Sequence, residues 1–476
     1  MSVRTGEEYE RSLEDGRVVY AGGERIRDVT AHPPFRGIIG TLKSLYDLQR
    51  EHRELLTYPS PATGDPVSLS FLMADSVEQV ARRVRAEEFR AEHTFGLMGR
   101  LPDFCNALVT DFAAARRFLG RRDNRFADNA LRYYEECREH DWCLTHTLVD
   151  PQIDRSKGPA EQSDPFLALR PVRETSDGVI LRGARMLSTL APFANELWVG
   201  PFYPRKPGEE PYAFCFAVPV ATVGLKFICR EPYDAGRSHF DRPLSSRFDE
   251  EDALAVFEDV EVPWERVFIA GDVEIWNGVM QRAPGYTPLQ AVVRGLVKLR
   301  FMAGLACTLA EAIGRADAIH VRAALGELIA NAELVGGLVG AAQEEVAYGL
   351  TRELPHRSLA ATLWVLIPQM QMRAAQVIRE ISGSGLVMTP TERDFANPEI
   401  APYLEKFLQG KEIAARDRVA LFKLAWDLMG EQFGGRQLQY EWFYSGDPLY
   451  TRSRFYDSPV AGKYKAMVKR LLASEK

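Results

Sequence analysis

A chain of 476 residues, 46% hydrophobic and 26% charged, has the composition of a folded globular protein with two or three cores, large enough to bury a whole cofactor. Its formal net charge of -7 offers no global basic surface, which argues against nucleic acid or an anionic membrane as the main partner and leaves room only for a local anion site.

From Asp75 to about Leu119 the sequence is charged and helical in period. Val77, Val80, Ala81 and Val84 fall at i, i+3, i+4 and i+7, with Arg82, Arg83 and Arg90 on the opposite face and Glu88 interrupting the apolar stripe. Asp75 or Ser76 can cap this stretch, and Gly96, Gly99 and Pro102 divide it into two helices. A further helix is predicted over 129–140, so the first 140 residues read as mainly α-helical.

After Trp142 the texture changes to short β-rich runs: 144–149, 166–175, 178–187, 196–202 and 212–220, separated by turn signals such as Ser176-Asp177-Gly178 and Lys206-Pro207-Gly208. Two of these runs, HTLVDPQIDR at 146–155 and DGVILRGARMLSTLAP at 177–192, carry polar clusters where a half-buried sheet would ask only for alternation, which marks them as binding segments. The β region closes at AVFEDVEVPWERVFI, 255–269. Beyond Pro284, the stretches 288–318, 320–351 and 357–382 carry apolar residues at helical intervals, the pattern of an antiparallel bundle. A loop with Gly383, Gly385 and Pro390 then leads to a last helical region and a tail from Tyr440.

This order predicts a mostly α protein with a central β domain: an N-terminal helical domain (1–142), a middle β domain (143–275) and a C-terminal helical bundle with tail (276–476). Apolar runs are broken by charges well short of the roughly 20 residues a membrane span needs, so no membrane segment is expected. Cys105, Cys137, Cys143, Cys215, Cys229 and Cys307 form no CxxC pair or zinc-finger spacing, and the polar N-terminus has no apolar signal core. Free thiols, a cytoplasmic location and no metal site are the corresponding expectations.

Long ordered segments carry a resemblance across nearly the whole chain: RTGEEYERSLEDGRVVYAGGERIRDVTAHPPFRG at 4–37, YDLQ at 46–49, GRLPDF at 99–104, the two binding segments, GSGLVMTP at 383–390 and GGRQLQYEWFYSGDP at 434–448. They resemble the 4-hydroxyphenylacetate 3-monooxygenase family, the oxygenase components of two-component FADH2-dependent monooxygenases on an acyl-CoA dehydrogenase-like scaffold. The resemblance implies an aromatic, phenol ortho-hydroxylase that receives FADH2 from a separate NAD(P)H flavin reductase. Oxygen would be the co-substrate, a flavin C4a-hydroperoxide would deliver one oxygen atom, and the assembly would be a homotetramer or homodimer. No GxGxxG opens a helix after a strand, in keeping with a chain that does not reduce its own flavin.

Arg100 stands before Leu101-Pro102-Asp103, where Pro102 suits the first turn of a helix and Asp103 its N-terminal dipole. Taken alone, such an arginine reads more readily as a surface cation paired with a carboxylate, and His146, in a strand, as a structural residue satisfied by a neighbour. The resemblance assigns both to the phenol: Arg100 holds the oxygen and His146 accepts its proton, a role suited to a side chain with an unperturbed pKa near 6.5. At 104 the family usually places a tyrosine, whereas this chain has Phe104 in the substrate pocket. One donor is thereby missing, worth roughly 1.5–3 kcal/mol toward a charged oxygen, which puts 4-hydroxyphenylacetate itself in question and admits another phenol, a carrier-bound aromatic or a nitrogen heterocycle.

For the flavin, the resemblance implies His146, Thr147 and Leu148, then Gln152, Ile153, Asp154 and Arg155, then Thr189, with Ser445, Gly446 and Asp447 approaching from the tail. Singly, each polar residue here also reads as turn chemistry. The competing classes are an acyl-CoA dehydrogenase or dehydratase and a non-catalytic binding protein on the same fold. A dehydratase of this scaffold holds an iron-sulfur cluster by three cysteines and a histidine. Cys105 lies near the appropriate segment, but GYTPLQAVVRG at 285–295 contains neither residue type.

Overall fold

Strands form where the N-terminal region reads as helical. β1 (Val19–Ala21) and β2 (Glu24–Ile26) make a hairpin turned at Gly22 and Gly23, whose φ values of 59° and 85° lie in the left-handed region that glycine enters without steric cost. β1 then pairs in parallel with a strand far along the chain, Val19 opposite Phe227, so the N-terminal region contributes directly to the main sheet. The computed structural model describes residues 3–151, 153–349 and 358–473.

A second small hairpin, β3 (Thr57–Pro59) with β4 (Pro66–Ser68), precedes the helix Val77–His93. Ser76 starts that helix by accepting from the Gln79 N–H at 3.3 Å. Val80 and Val84 are buried as their spacing predicts, but Arg83 and Arg90 are buried as well, at 1% and 4% exposure, while Val77 is exposed. Two of the three arginines expected on the polar face are therefore buried. Arg83 donates to the carbonyls of Ser70 and Leu72 at 2.8 Å and pairs with Glu87, and Arg90 donates to Gln49, the Leu56 carbonyl and Ser68. Irregular backbone covering this helix needs donors, and the arginines supply them.

The next helix, Pro102–Ala114, is buried from Asp103 to Ala113. It is followed by Asn124–His140, which ends at Asp141 with φ 49°.

Eight further strands complete the β region: β5 (Leu144–Thr147), β6 (Arg170–Glu174), β7 (Gly178–Thr189), β8 (Glu196–Val199), β9 (Phe214–Pro219), β10 (Leu225–Cys229), β11 (Asp252–Pro263) and β12 (Val267–Ala270). They form a six-stranded sheet of order β2-β1-β10-β11-β7-β6 and a four-stranded sheet of order β12-β9-β8-β5. β10 has no counterpart among the runs predicted from the sequence. Between Ser188 opposite Ala253 and Arg185 opposite Ala255, two residues of β7 face one of β11, a bulge that puts Leu187 at φ 58°.

The chain divides into two compact units, Met1–Val297 with Ala341–His356, and Lys298–Gly340 with Arg357–Lys476. The first holds both the N-terminal helices and the strands. In it Asp111 accepts from the N–H groups of Gly285, Tyr286 and Thr287 and from the Thr287 hydroxyl, satisfying the open donors where the long helix Tyr286–Ala312 begins. The second unit is helical, with a buried ion pair from Lys298 to Glu441 at 2.8 Å. The helices Ile319–Gly349, whose residues from Ala341 on belong to the first unit, and Ser358–Ser382 fall on the two later bundle segments. By length and composition the first of these is apolar enough to cross a membrane, which the sequence reading did not anticipate. Glu327 and Glu333 lie inside it, however, and Glu327 pairs with Arg373 at 2.8 Å, as expected of a bundle helix.

Candidate active site

Arg100 is held from both ends of its own peptide. The Glu250 carboxylate accepts the Gly99 N–H at 2.9 Å and the Arg100 N–H at 2.5 Å, and the guanidinium returns a hydrogen bond to the Gly99 carbonyl at 3.0 Å. The Leu190 N–H donates to the Glu250 carbonyl at 3.1 Å, so one residue fixes both the arginine loop and the end of the second binding segment. Proline at the first helical turn then sets the path so that Phe104, one turn on, lies under the Arg100 guanidinium, 4.5 Å from its carbon to the ring centroid. Arg100 is thus a buried cation, 8% exposed, and not the surface ion pair that its residue type alone suggested.

His146 sits in β5, all four residues of which are buried, and pairs in parallel with Trp198 of β8. Alternation along the strand separates its neighbours from it. The Thr145 hydroxyl donates to the Thr189 carbonyl and the Thr147 hydroxyl to the Met186 carbonyl at 3.2 Å, both toward β7. The His146 ring meets Phe104 instead, with centroids 5.5 Å apart. Neither ring nitrogen has a hydrogen-bond partner among the described residues. Burial, reinforced by the Arg100 charge, holds the imidazole well below its ordinary pKa, so the ring is neutral and offers one donor and one acceptor. Among the described residues, His146 is therefore not a structural histidine satisfied by its neighbours.

The flavin candidates divide into buried and exposed groups. Thr147, Leu148 and Thr189 are framework positions: Leu148 accepts from Arg185 at 3.4 Å, and Thr189 is 1% exposed with its hydroxyl donating to Asp252 at 2.6 Å. Both threonine hydroxyls have spent their protons on protein acceptors and present only lone pairs to a ligand. Ile153 is 57% exposed and Arg155 is exposed in a turn. Asp154 accepts from the Ser156 hydroxyl and amide at 2.6 and 3.1 Å and pairs with Lys157, which takes its carboxyl down to about 2. Gln152 lies outside the described residues.

Ser445, Gly446 and Asp447 belong to the second unit. Asp447 caps the helix Pro448–Tyr456 by accepting from Leu449 and Tyr450 at 2.8 and 3.1 Å, as turn chemistry predicts. Ser445 and Gly446 additionally line a cleft with Trp364, Gln369, Trp442 and Arg452, all within the same unit.

Several residues of the site left no local signal in the sequence. Asp150 makes ion pairs with Arg185 at 2.7 Å and Arg205 at 2.6 Å, from partners 35 and 55 positions away. Ser188 is fully buried with an unpartnered hydroxyl, and Leu187 is half exposed at a positive φ rarely adopted by a branched side chain. Glu250 likewise became visible only through its contacts. Unpartnered polar atoms at His146, Ser188, Arg185 and Arg205 give this region the donors that an anionic reduced flavin requires, so the residues present fit the group. Cys105, by contrast, is buried with its thiol pushed up to about 12, the reverse of what thiolate ligation asks.

Comparison with known proteins agrees. Residues 5–269 match the family model described as 4-hydroxyphenylacetate 3-hydroxylase N terminal, and 283–473 match its C-terminal counterpart. The 4-hydroxyphenylacetate 3-monooxygenase oxygenase component of Thermus thermophilus is 39% identical over 478 residues, which cover 99% of this chain and 97% of that one. A crystal structure of such an oxygenase component complexed with FAD and 4-hydroxyphenylacetate matches with a TM-score of 0.92 at 38% identity, over 99% of this chain and 100% of its own. An archaeal 4-hydroxybutyryl-CoA dehydratase from N. maritimus, 21% identical, shares the fold with a TM-score of 0.88 over 99% of this chain and 95% of its own. The chain therefore belongs to the 4-hydroxyphenylacetate 3-hydroxylase family, as the oxygenase component of a two-component, FAD-using aromatic monooxygenase.

Proposed function

We propose that this oxygenase hydroxylates a phenol ortho to its hydroxyl, with Arg100 anchoring the phenol oxygen and His146 taking its proton. The observation that carries the reading is the convergence of a buried guanidinium and a neutral, unpartnered imidazole on the Phe104 ring. Reduced FAD, delivered by a separate reductase, supplies the chemistry that activates oxygen for transfer to the ring. Arg100 lowers the cost of ionising a group whose free pKa is about 10, each unit being worth about 1.4 kcal/mol. His146, weakly basic while only Arg100 faces it, gains basicity as negative charge grows on the phenol oxygen, so a ring nitrogen receives the proton as the phenolate forms. Leu101, Phe104 and the buried β5 keep water from this centre.

For the flavin we assign His146, Thr147, Leu148, the 152–155 turn and Thr189, with Ser445, Gly446 and Asp447 as tail contacts. The substrate named for the relatives is 4-hydroxyphenylacetate, and it is one candidate here. Phe104 favours a second: a phenol that ionises more readily, whether free or carrier-bound, because the position contributes a ring face and no donor. A homotetramer or homodimer is the assembly we assign. Ile319, Ile329 and Leu334 on the apolar helix, and Tyr464, Met467, Val468, Leu471 and Leu472 on Pro459–Ala473, stay exposed in the single chain and suit association. Six free cysteines support a cytoplasmic setting.

The test is product formation from a panel of para-substituted phenols, with chemically reduced FAD and oxygen as the only other reactants. Ortho-hydroxylated product, with yield rising as the phenol becomes more acidic, is the expected result. Oxidation of FADH2 without product across free and carrier-bound phenols would remove the reading and favour a binding protein.

A further inference from the structure

The segment between His146 and Arg155 leaves the strand after Thr147, and its described residues are tied to the rest of the first unit at few points. The Leu148 and Val149 carbonyls accept from Arg185 at 3.4 Å and from the Met186 N–H at 2.8 Å. The strongest attachment comes next, where the Asp150 carboxylate meets Arg185 on one oxygen and Arg205 on the other. Beyond it, in the described part of the turn, Asp154 bonds to its near neighbours Ser156, Lys157 and Gln162.

The backbone that carries each cation is fixed independently of that segment. Arg185 lies in the β7 and β11 ladder opposite Ala255, 1% exposed. Arg205, 7% exposed, has its amide and carbonyl bracketed by the side chain of Asn277 at 2.8 Å each. Its guanidinium lies 5.3 Å from the Trp276 ring, and Trp276 in turn donates to the Tyr203 carbonyl at 2.9 Å. Two desolvated guanidinium groups therefore grip one carboxylate in the loop, and the pair of ionic contacts helps dictate where its backbone runs. Asp150 stays ionised: burial raises its pKa, but Arg185 and Arg205 outweigh this and the net shift is downward.

We infer that Asp150, Arg185 and Arg205 are positioning residues for reduced FAD: the two arginines hold the carboxylate, and the carboxylate sets the height of the flavin-contacting segment on either side of it. This rests on the assignment of 146–155 to the flavin. The clamp touches neither Arg100 nor Phe104 through any of the contacts described, so its loss should alter flavin binding and leave the aromatic pocket unchanged. A shifted flavin misdelivers oxygen, and the electrons then appear as hydrogen peroxide and not as hydroxylated product.

Anaerobic titration with reduced FAD, peroxide yield per flavin and KM for the phenol should be measured for the parent and for Arg205→Gln and Arg205→Lys. We expect Arg205→Gln to weaken reduced-FAD binding by about tenfold or more and to raise the peroxide fraction at unchanged phenol KM, with Arg205→Lys recovering part of both. If Arg205→Gln does not fold, Asp150→Glu, which keeps the charge and lengthens the arm, is expected to give the same weakening. Parent-like flavin affinity and peroxide fraction in a folded variant, even with a lower melting temperature, would overturn the clamp. Thr189→Val and Arg155→Ala separate the two levels. Weakened flavin binding in these variants, with none in Arg205→Gln, rejects the clamp alone. Unchanged binding in all three rejects the flavin assignment and the clamp with it.

Discussion

The pocket proposed for the substrate and the turn proposed to face the flavin are built in opposite ways. Arg100, Phe104 and His146 are each under 10% exposed, on a proline-started helix and a central strand, and Glu250 pins the arginine before any ligand arrives. Ile153 and Arg155 stand in solvent on a turn whose described bonds are largely local. On the proposed assignment, a centre that must stabilise charge away from water is preorganised in the core, whereas a cofactor that enters and leaves by diffusion would meet a more accessible turn held at one ionic anchor. Changes in the first region should therefore act on chemistry, and changes in the second on flavin affinity.

His146→Asn should cost about 100-fold in kcat/KM for the phenol while reduced-FAD affinity falls only a few-fold, His146 being one of several proposed flavin contacts, as steady-state and anaerobic titrations would show. Glu250→Gln, which weakens the hold on the Gly99 and Arg100 amides, should cost about tenfold in the same parameter. A loss of flavin binding in either variant would blur the two regions. Phe104→Tyr restores a donor and should improve kcat/KM for simple phenols by up to about tenfold, least for those already ionised at neutral pH.

The pH dependence of stability follows from the same burial. His146 is held below the unfolded value of about 6.5, so as pH falls below that value the unfolded chain takes up a proton that the folded chain refuses. Its contribution is present at neutral pH and above and is lost on acidification. Denaturant melts at pH 5.5 and 7.5 should show a smaller acid loss for His146→Asn than for the parent. Arg155→Ala, at the exposed end of the comparison, should change stability by no more than about 0.5 kcal/mol and weaken reduced-FAD binding only a few-fold.

Much of this was readable from the residues. Pro102 and Ser76 mark helix starts that the structure keeps, and the runs around β5, β7, β8, β9 and β11 show as strands by alternation and turn signals. The hairpin at 19–26 was missed, because its short strands are stabilised by pairing with β10, which sequence distance conceals. Arg83 and Arg90 were assigned to solvent because charge in a helix usually is. Their burial depends on carbonyls of a distant, irregular segment, which no periodicity reports. Arg100, Phe104 and His146 were singled out through resemblance, and the fold brings their side chains together in the core. Asp150, Arg185, Arg205 and Glu250 act through partners remote in sequence, so only the folded chain reveals them.

The most direct test of the separation between a preorganised phenol site and an independent flavin surface is Arg100→Ala, assayed for reduced-FAD affinity and for product formed per flavin oxidised. The account predicts parent-like affinity with product yield reduced by about 100-fold or more. Normal product yield would contradict the role of Arg100, and a loss of flavin affinity matching the loss of product would contradict the division itself.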